Sequence, residues 1–516
     1  MPFRDKSGYK RGRKGVDVMS LLGLDIGTSG CKATIIDYEG NIKGQAYQEY
    51  SLVSPKPGWE EINPELVWES VKKVIADSVS QCKDDDIKAI SASSFGEAVI
   101  PVDRNGNVLH NSIIYIDERG RDEASFLKDR LSYEKILAIT GVSAHPMYSI
   151  CKIMWLKTHM PDVYNRAWKF LLFADFILYK MGAMPHTDYS LAARTMAFDV
   201  INKRWSPEIL ECAGVDEDKF GEPVQAGTVV GKIKDMVAEE LGLPRDVILV
   251  AGGHDQPCAA LGAGAIKNEL AVDGLGTTEC ITPSFDKVII SESMAKNSFA
   301  CVPHVIKNMY VTYAFTFTSG SVLKWYRNNF GAIYLEEARK DNINVYDMLI
   351  KKASPDPSPV YVLPHFAGAA TPYMDTGSKG AIVGLTINTK AEDIIKAILE
   401  GITYEIMVNV ERLEEAGVKV NELRTVGGLA KSDLFLQLKA DMMGRKVTTL
   451  HVSEAGTLGV AILAGTACGI YTSIDDAVQK LVRIRKEFYP DEKLHEIYME
   501  KFQVYEKIYP AVRSIF

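Results

Sequence analysis

The sequence predicts an α/β protein with mixed sheets and two lobes, and three observations carry that prediction. The chain has 516 residues, more than one hydrophobic core usually organises. Strand-like and helical patterns alternate along it. A short pattern near the start, "LLGLDIGTSGC" (21–31), returns as "LAVDGLGTTEC" at 270–280. Each copy is an apolar strand, a glycine, two hydroxyl residues and a cysteine, which suggests a duplicated architecture with one loop from each lobe.

Taken in order, the apolar runs from Leu21 to residue 50, broken by the turn "YEGN", read as consecutive antiparallel strands. Residues 63–81 and 122–139 have helical spacing, "IKAISASSF" and "NVLHNSIIYID" are strand-like, and helices dominate from about 150 to 245. The run "AWKFLLFADFILYKMGAM" (167–184) is interrupted by Lys169, Asp175 and Lys180 too closely for a lipid-spanning helix and reads as a buried helix. A strand, "DVILVAGG", leads into "HDQPCAALGAG". In the second half, Thr389 and Glu392 form a capping box before a long helix. Ile394, Ile395, Ile398, Leu399, Ile402, Met407 and Val410 mark its buried stripe, and Gly417 its stop. The strand "LRTVGG", the helix "SDLFLQLKADMMG", the strand "KVTTL" and the helix "GTLGVAILAGTACG" follow, and the last forty-odd residues look helical.

Bulk properties narrow the function. Hydrophobic residues make up 47% of the chain and charged residues 24%, with a mean hydropathy of −0.04. The net charge of −8 argues against nucleic acid as the main partner, and no membrane partner is expected. Eight cysteines without a C-x-x-C pair suggest neither zinc nor a disulfide framework, and fit reduced thiols in a cytoplasmic protein. Residues 1–18 read as a disordered basic tail with no hydrophobic core like that of a signal peptide.

Three glycine turns carry chemistry. In "DIGTSGCK", Gly27, Thr28 and Ser29 offer backbone and hydroxyl donors to an anion, and Lys32 adds positive charge. Asp25 would repel phosphate unless Mg²⁺ sat between them, so it is the expected metal ligand. Gly276, Thr277 and Thr278 repeat the backbone logic without the acid, as a second clamp on a polyphosphate. Gly427, Gly428, Ala430, Lys431 and Ser432 form a strand–turn–helix connection suited to a nucleoside laid over bare backbone. Two phosphate clamps and a nucleotide seat imply phosphoryl transfer, which still needs a base for the acceptor hydroxyl. Asp255, at the end of a strand on a Gly-Gly turn, is the candidate; its competing role is a helix N-cap.

These elements in this order resemble the FGGY family of carbohydrate kinases from about Leu21 to the C-terminus. "MYSICKIMWLKTH" (147–159) fits the family's first signature through Lys152 and Trp155, and "GAIVGLTINTKAEDIIKAILE" (380–400) fits the second. The resemblance implies two ribonuclease-H-like lobes of the actin/hexokinase type with ATP and sugar in the cleft. It divides the chain into an N-terminal lobe (19–264), a C-terminal nucleotide lobe (265–470) and a helical segment (471–516) packing back on the lobes. It makes Asp255 the catalytic base and gives the three turns their ATP roles. The family usually shows three glycines before Ala-Lys-Ser, and here the third is Leu429, which puts the adenine contact in question.

The acceptor strand places Gly96 and Glu97 where xylulose kinases carry Gln-Met-His-Gly and glycerol kinases Gln-Arg-Glu-Thr. Glu97 can accept hydrogen bonds from sugar hydroxyls and would disfavour an anionic acceptor unless a cation compensates. "HPMYSICKIMWL" is nevertheless similar to gluconate kinases. His254 is a further sugar contact or a structural histidine, and Asp117 and Arg119 in "YIDERG" read as scaffold near the cleft. The expected activity is an ATP- and Mg²⁺-dependent kinase of a pentulose such as xylulose, with gluconate, a polyol or another ketose as alternatives and a homodimer as the candidate assembly. The rivals from other classes are an actin- or chaperone-like ATPase, which would not need Glu97 with Asp255, and a silent sugar sensor, which would not need Asp255, Asp25 and Lys32.

Overall fold

The computed structural model describes residues 19–82, 85–451 and 454–516; the expected N-terminal tail (1–18) lies outside the described residues. The first sheet grows from the hairpin expected at the start. β1 (Met19–Ile26) and β2 (Gly30–Asp37) run antiparallel, and β3 (Ile42–Glu49) pairs with β2. α1 (Pro64–Val79) begins on proline, and the Asn63 side chain accepts from the Glu65 and Leu66 N–H groups. β4 (Asp86–Ser94) returns parallel to β1. After α2 (Ser149–His159), β5 (Val229–Lys232) and β6 (Ile248–His254) complete the order β5-β6-β4-β1-β2-β3, with β6 parallel to β4. α3 (Asp255–Gly262) leaves β6 directly.

The second half repeats this order. β7 (Leu270–Leu275) and β8 (Glu279–Phe285) form the new hairpin, followed by α4 (Gly320–Phe330) and α5 (Ala391–Glu415). β9 (Glu422–Gly427) runs parallel to β7; α6 (Asp433–Met443) leads to β10 (Lys446–Leu450), parallel to β9. Then come α7 (Ala455–Ala467), β11 (Ile484–Phe488), antiparallel to β10, and α8 (Glu492–Tyr505). The series β6-β4-β1-β2 and β10-β9-β7-β8 therefore share order and direction, as the repeated loop pattern led us to expect. The two turns differ by one residue: Ile26 lies opposite Cys31, whereas Leu275 lies opposite Glu279. Cys31 thus corresponds to Glu279, and its match to Cys280 in the sequence has no structural counterpart.

Each half has its own core, and α3 and α7 meet between them. Cys258 and Leu261 of α3 pack with Leu458, Val460 and Ile462 of α7 and with Leu21 of β1. α3 touches strands of both sheets, so the segment opening at Asp255 spans the junction.

Several local expectations change. The run 167–184 is a strand, Lys169–Leu171, paired with Ile100–Val102, and then a buried helix, Phe173–Met181. No helix among the described residues is long and apolar enough to cross a membrane. The stretch 122–139 is two helices parted at Ser132. The capping box expected from Thr389 and Glu392 does not form, because the N-cap of α5 is Lys390, whose ammonium cannot accept, and only the reciprocal bond from Asp393 is made. The Lys390 N–H donates to Asp393 Oδ2 at 3.0 Å, while Thr389 Oγ1 accepts from the Thr386 N–H. The C-terminal segment is not wholly helical, because β11 extends the second sheet.

Candidate active site

The residues expected to meet the acceptor converge where β4 and β6 end. Just beyond β4, Gly96 leaves room for Arg194: a Cβ there would stand 2.7 Å from Arg194 Cγ. Glu97 follows at φ 66°, a left-handed backbone conformation that costs a glutamate of order 1–3 kcal/mol and must be held by its surroundings. Two contacts hold it. Ser149 Oγ, at the start of α2, donates to the Glu97 carbonyl at 2.5 Å. Arg194 Nε donates to Glu97 Oε1 at 2.6 Å, and its NH2 group pairs with the same oxygen. The Arg194 guanidinium lies 5.3 Å from the Tyr148 ring and 5.6 Å from the Tyr313 ring. Burial raises the Glu97 pKa while Arg194 opposes the rise. Arg194, Tyr148 and Tyr313 were absent from the sequence reading. An arginine isolated in the apolar run "SLAARTMAF" was the available signal, because a buried glutamate needs a cation.

Asp255 occupies the first position of α3, and the competing N-cap reading fails: the cap residue is His254, and no side-chain capping bond forms. Asp255 Oδ1 has no hydrogen-bond partner. His254 Nε2 stands 3.2 Å away but outside hydrogen-bond alignment, while its Nδ1 lies 3.2 Å from the Tyr313 hydroxyl. Burial, reinforced by Arg194, holds the His254 pKa well below its ordinary value, so the ring is neutral. The Asp255 pKa is pushed up to about 8, first by burial and then by the negative charges of Asp25 and Glu97. Its side chain is 32% exposed to the cleft, so water screens part of that repulsion.

The first loop reaches Asp255 through Asp25. Asp25 Oδ1 accepts from Ser93 Oγ at 2.6 Å, and the start of α7 abuts it, since a Cβ on Gly456 would come within 3.2 Å of the carboxylate. Burial raises the Asp25 pKa against the opposing Ser93 bond and the Lys32 charge. The Gly27 N–H donates to the Gly30 carbonyl, and the Tyr50 hydroxyl donates to the Gly27 carbonyl; Thr28 is partly exposed and Ser29 exposed. The Lys32 ammonium is ion-paired with Glu454, so it is already engaged.

Glu454 lines a cavity of about 420 Å³ together with Gly427, Gly428, Ala430, Lys431 and His451. An adjoining cavity of about 490 Å³ shares Gly428 and Lys431 and is closed by Gly276, Thr277, Gly320, Tyr346, Leu429 and Ser432. Thr277 and Thr278 stand exposed, and the Ser319 and Ser321 N–H groups donate to the Thr277 carbonyl. Leu429, in the third-glycine position, is almost wholly buried in the second core. Ser432 is the N-cap of α6 and accepts from the Phe435 N–H.

The signature residues of α2 do not face the cleft. Lys152 is fully buried and donates to the Asp117 and Arg119 carbonyls. Arg119 pairs with Asp117 and Glu61 and stacks 4.0 Å from Trp59 and 5.0 Å from Trp155. The same helix anchors the Glu97 and Arg194 segments at its start. Ser149 holds Glu97, and the Ile150 N–H donates to the Thr195 carbonyl beside Arg194.

Two repeated sheets with a cavity between glycine turns define a two-lobed α/β fold, and the family that matches both halves makes it a sugar kinase, a phosphotransferase to an alcohol group with ATP as donor. The N-terminal domain of the FGGY family of carbohydrate kinases matches residues 20–262, and the C-terminal domain of that family matches 274–468. The chain belongs to this family. It is 28% identical to a xylulose kinase of Staphylococcus epidermidis over 96% of its length and 97% of that protein. It is 30% identical to a glycerol kinase of Thermococcus gammatolerans over 91% and 93%, respectively. The crystal structure of a gluconate kinase from Lactobacillus acidophilus superposes with a TM-score of 0.86 at 25% identity, covering 96% of this chain and 98% of that one. Family membership sets aside the actin- or chaperone-like ATPase.

Proposed function

We propose that this kinase transfers the γ-phosphate of ATP to a hydroxyl of a pentulose such as xylulose, with Asp255 as general base. The observation that supports the base assignment is the partly exposed Asp255 carboxylate, within electrostatic reach of Glu97, Arg194 and Asp25 and with its buried Oδ1 free of any hydrogen-bond partner. Glu97 and Arg194 offer an acceptor and donors to neighbouring sugar oxygens, with His254 and Gly96 shaping the wall. Gly27, Thr28 and Ser29 with Gly276, Thr277 and Thr278 hold the phosphates, and Gly427 to Ser432 seat the nucleoside. Lys32 takes part by exchanging Glu454 for phosphate oxygen.

The residues present fit Mg²⁺. Asp25 and Asp255 repel each other, and this ion binds through one or two carboxylates together with phosphates and water rather than in an all-protein cage. Among the described residues no group of three His, Cys, Asp or Glu could hold a metal. Asp25 would hold the ion, which would supply charge neutralisation at the phosphates. Loss of a proton from the sugar hydroxyl to the Asp255 carboxylate, with the hydroxyl aligned by Glu97 and Arg194, prepares the attack.

The lobes we assign are 19–264 and 265–470, with 471–516 packing on both. Leu481 joins the core that contains Leu21, and Tyr498, Phe502 and Tyr505 join the second core. The cytoplasm suits eight unpaired cysteines.

An ADP-release screen over pentuloses, hexuloses, polyols and aldonates tests the acceptor; a kcat/KM for xylulose below that of the aldonates would reject it. Gluconate is the second reading because Arg194 supplies the cation that Glu97 requires before an anion can enter.

A further inference from the structure

Beneath the second glycine turn lies a charged cluster that the mechanism does not use. Asp273 in β7, Glu279 in β8 and Lys439 in α6 are all fully buried. Lys439 Nζ stands 2.5 Å from Asp273 Oδ2 and pairs with Glu279 Oε1. The Asp273 approach is off the line of a hydrogen bond, so it is an ion pair only. Burial would lower the Lys439 pKa, but the two carboxylates raise it. Ser319, just before α4, donates from Oγ to Glu279 Oε2 at 2.8 Å, and its N–H donates to the Thr277 carbonyl at 2.9 Å.

The hairpin does not need these charges in order to form. In the first copy the corresponding positions are Leu24 and Cys31, both buried and uncharged, and β1 and β2 make the same antiparallel pair. Burying one ammonium against two carboxylates is a poor way to gain stability, and apolar replacements of such clusters are often neutral or stabilising. What the cluster does is join three elements lining one cavity: the 276–278 turn, the start of α4, and α6, whose N-cap Ser432 closes the cavity's far side.

We propose that Lys439, with Asp273 and Glu279, is a positioning device that fixes the 276–278 turn against α4 and α6 so that its N–H and hydroxyl groups meet the nucleotide. It acts through the turn and touches no substrate. The proposal rests on the reading of Gly276, Thr277 and Thr278 as a phosphate clamp.

Positioning and simple electrostatics predict opposite signs. Burial pushes the Glu279 pKa up to about 7, with Lys439 opposing the rise and Asp273 adding to it. Above that pH two carboxylates against one ammonium leave an excess of negative charge close to bound phosphate, and by charge alone their removal should tighten nucleotide binding at pH 8. The test is the variant Asp273→Leu/Glu279→Cys/Lys439→Met, which copies the first hairpin, with Ser319→Ala as a lighter change and Gly276→Asp as a control. ADP affinity is measured by calorimetry at pH 8, together with the thermal midpoint and the KM of the acceptor the wild type uses best. The triple variant is expected to keep its thermal midpoint and acceptor KM while binding ADP about tenfold more weakly, the scale of a misplaced binding group. Ser319→Ala should weaken ADP about threefold. Unchanged or tighter ADP binding in a folded triple variant overturns the proposal; if that variant does not fold, unchanged binding in Ser319→Ala overturns it. Normal ADP binding in Gly276→Asp would instead reject the phosphate clamp itself.

Discussion

Replacing Asp255 by asparagine removes the proposed base while nearly preserving its shape. In the open cleft the Asp255 pKa stands at about 8, so about one-tenth of the molecules carry it ionised at pH 7 and about nine-tenths at pH 9. The wild-type kcat/KM should therefore climb close to tenfold across those two pH units. In kcat the limb should move to lower pH, because a bound cation offsets the charge of Asp25. In Asp255→Asn, kcat should fall at least about a hundredfold while ATP and sugar still bind. A stability effect of opposite sign accompanies the loss. The folded pKa lies above the ordinary 3.8, so the folded state holds the proton more tightly. Stability thus falls as pH rises from about 4 through about 8. Asparagine cannot ionise, so at pH 8 its thermal midpoint should exceed that of the wild type. Stopped-flow or coupled ADP-release assays from pH 6 to 9.5, with calorimetric melts at pH 5 and 8, read all three effects. A flat kcat/KM profile together with turnover within about threefold of wild type in the variant would refute the base assignment.

Arg194→Met leaves Glu97 buried without its cation, a loss of about 3–5 kcal/mol for a broken buried pair. The acceptor KM should rise at least about tenfold with ADP affinity unchanged, and Glu97→Gln in the same chain should recover part of the stability in melts. Gly427→Ala introduces a Cβ 2.5 Å from the Leu275 carbonyl at φ 102°, so the ATP KM should rise severalfold while the acceptor KM holds. Lys152→Met strips the Asp117 and Arg119 carbonyls of their buried donor; a lower thermal midpoint with near-normal ADP affinity is expected in melts and calorimetry.

The legible parts of this chain are those whose signal is local. The two hairpins, the strand before Asp255 and the helix from Ala391 each announce themselves within a dozen residues, through periodicity and turn chemistry. What stayed hidden depends on distant partners. Glu97 and Arg194 are separated by 97 positions and meet only because α2 clasps both segments. Residues 169–171 form a strand because Ile100–Val102 lies beside them, which no local pattern records. β11 ("IRKEF") is charged and mostly exposed, the composition of a protected sheet edge, so its apolar alternation is absent.

The duplication explains why one half could mislead about the other. Strand order is shared, yet the first turn carries Asp25 and an extra residue, while the second carries Glu279 over a buried lysine. The same backbone solution is thus supported by apolar packing in one lobe and by ion pairs in the other. A turn backed by Leu24 and Cys31 rests on an apolar core to which Val67, Val71 and Ile75 of α1 also contribute. A turn backed by Lys439 is held only while α6 stays in place, and α6 begins at the residue that closes the nucleoside side of the cavity. The proposed second clamp is therefore sensitive to the placement of α6 through a buried charge, which the first turn lacks. Substitutions that loosen α6 against β7 should act on nucleotide affinity before they act on the acceptor.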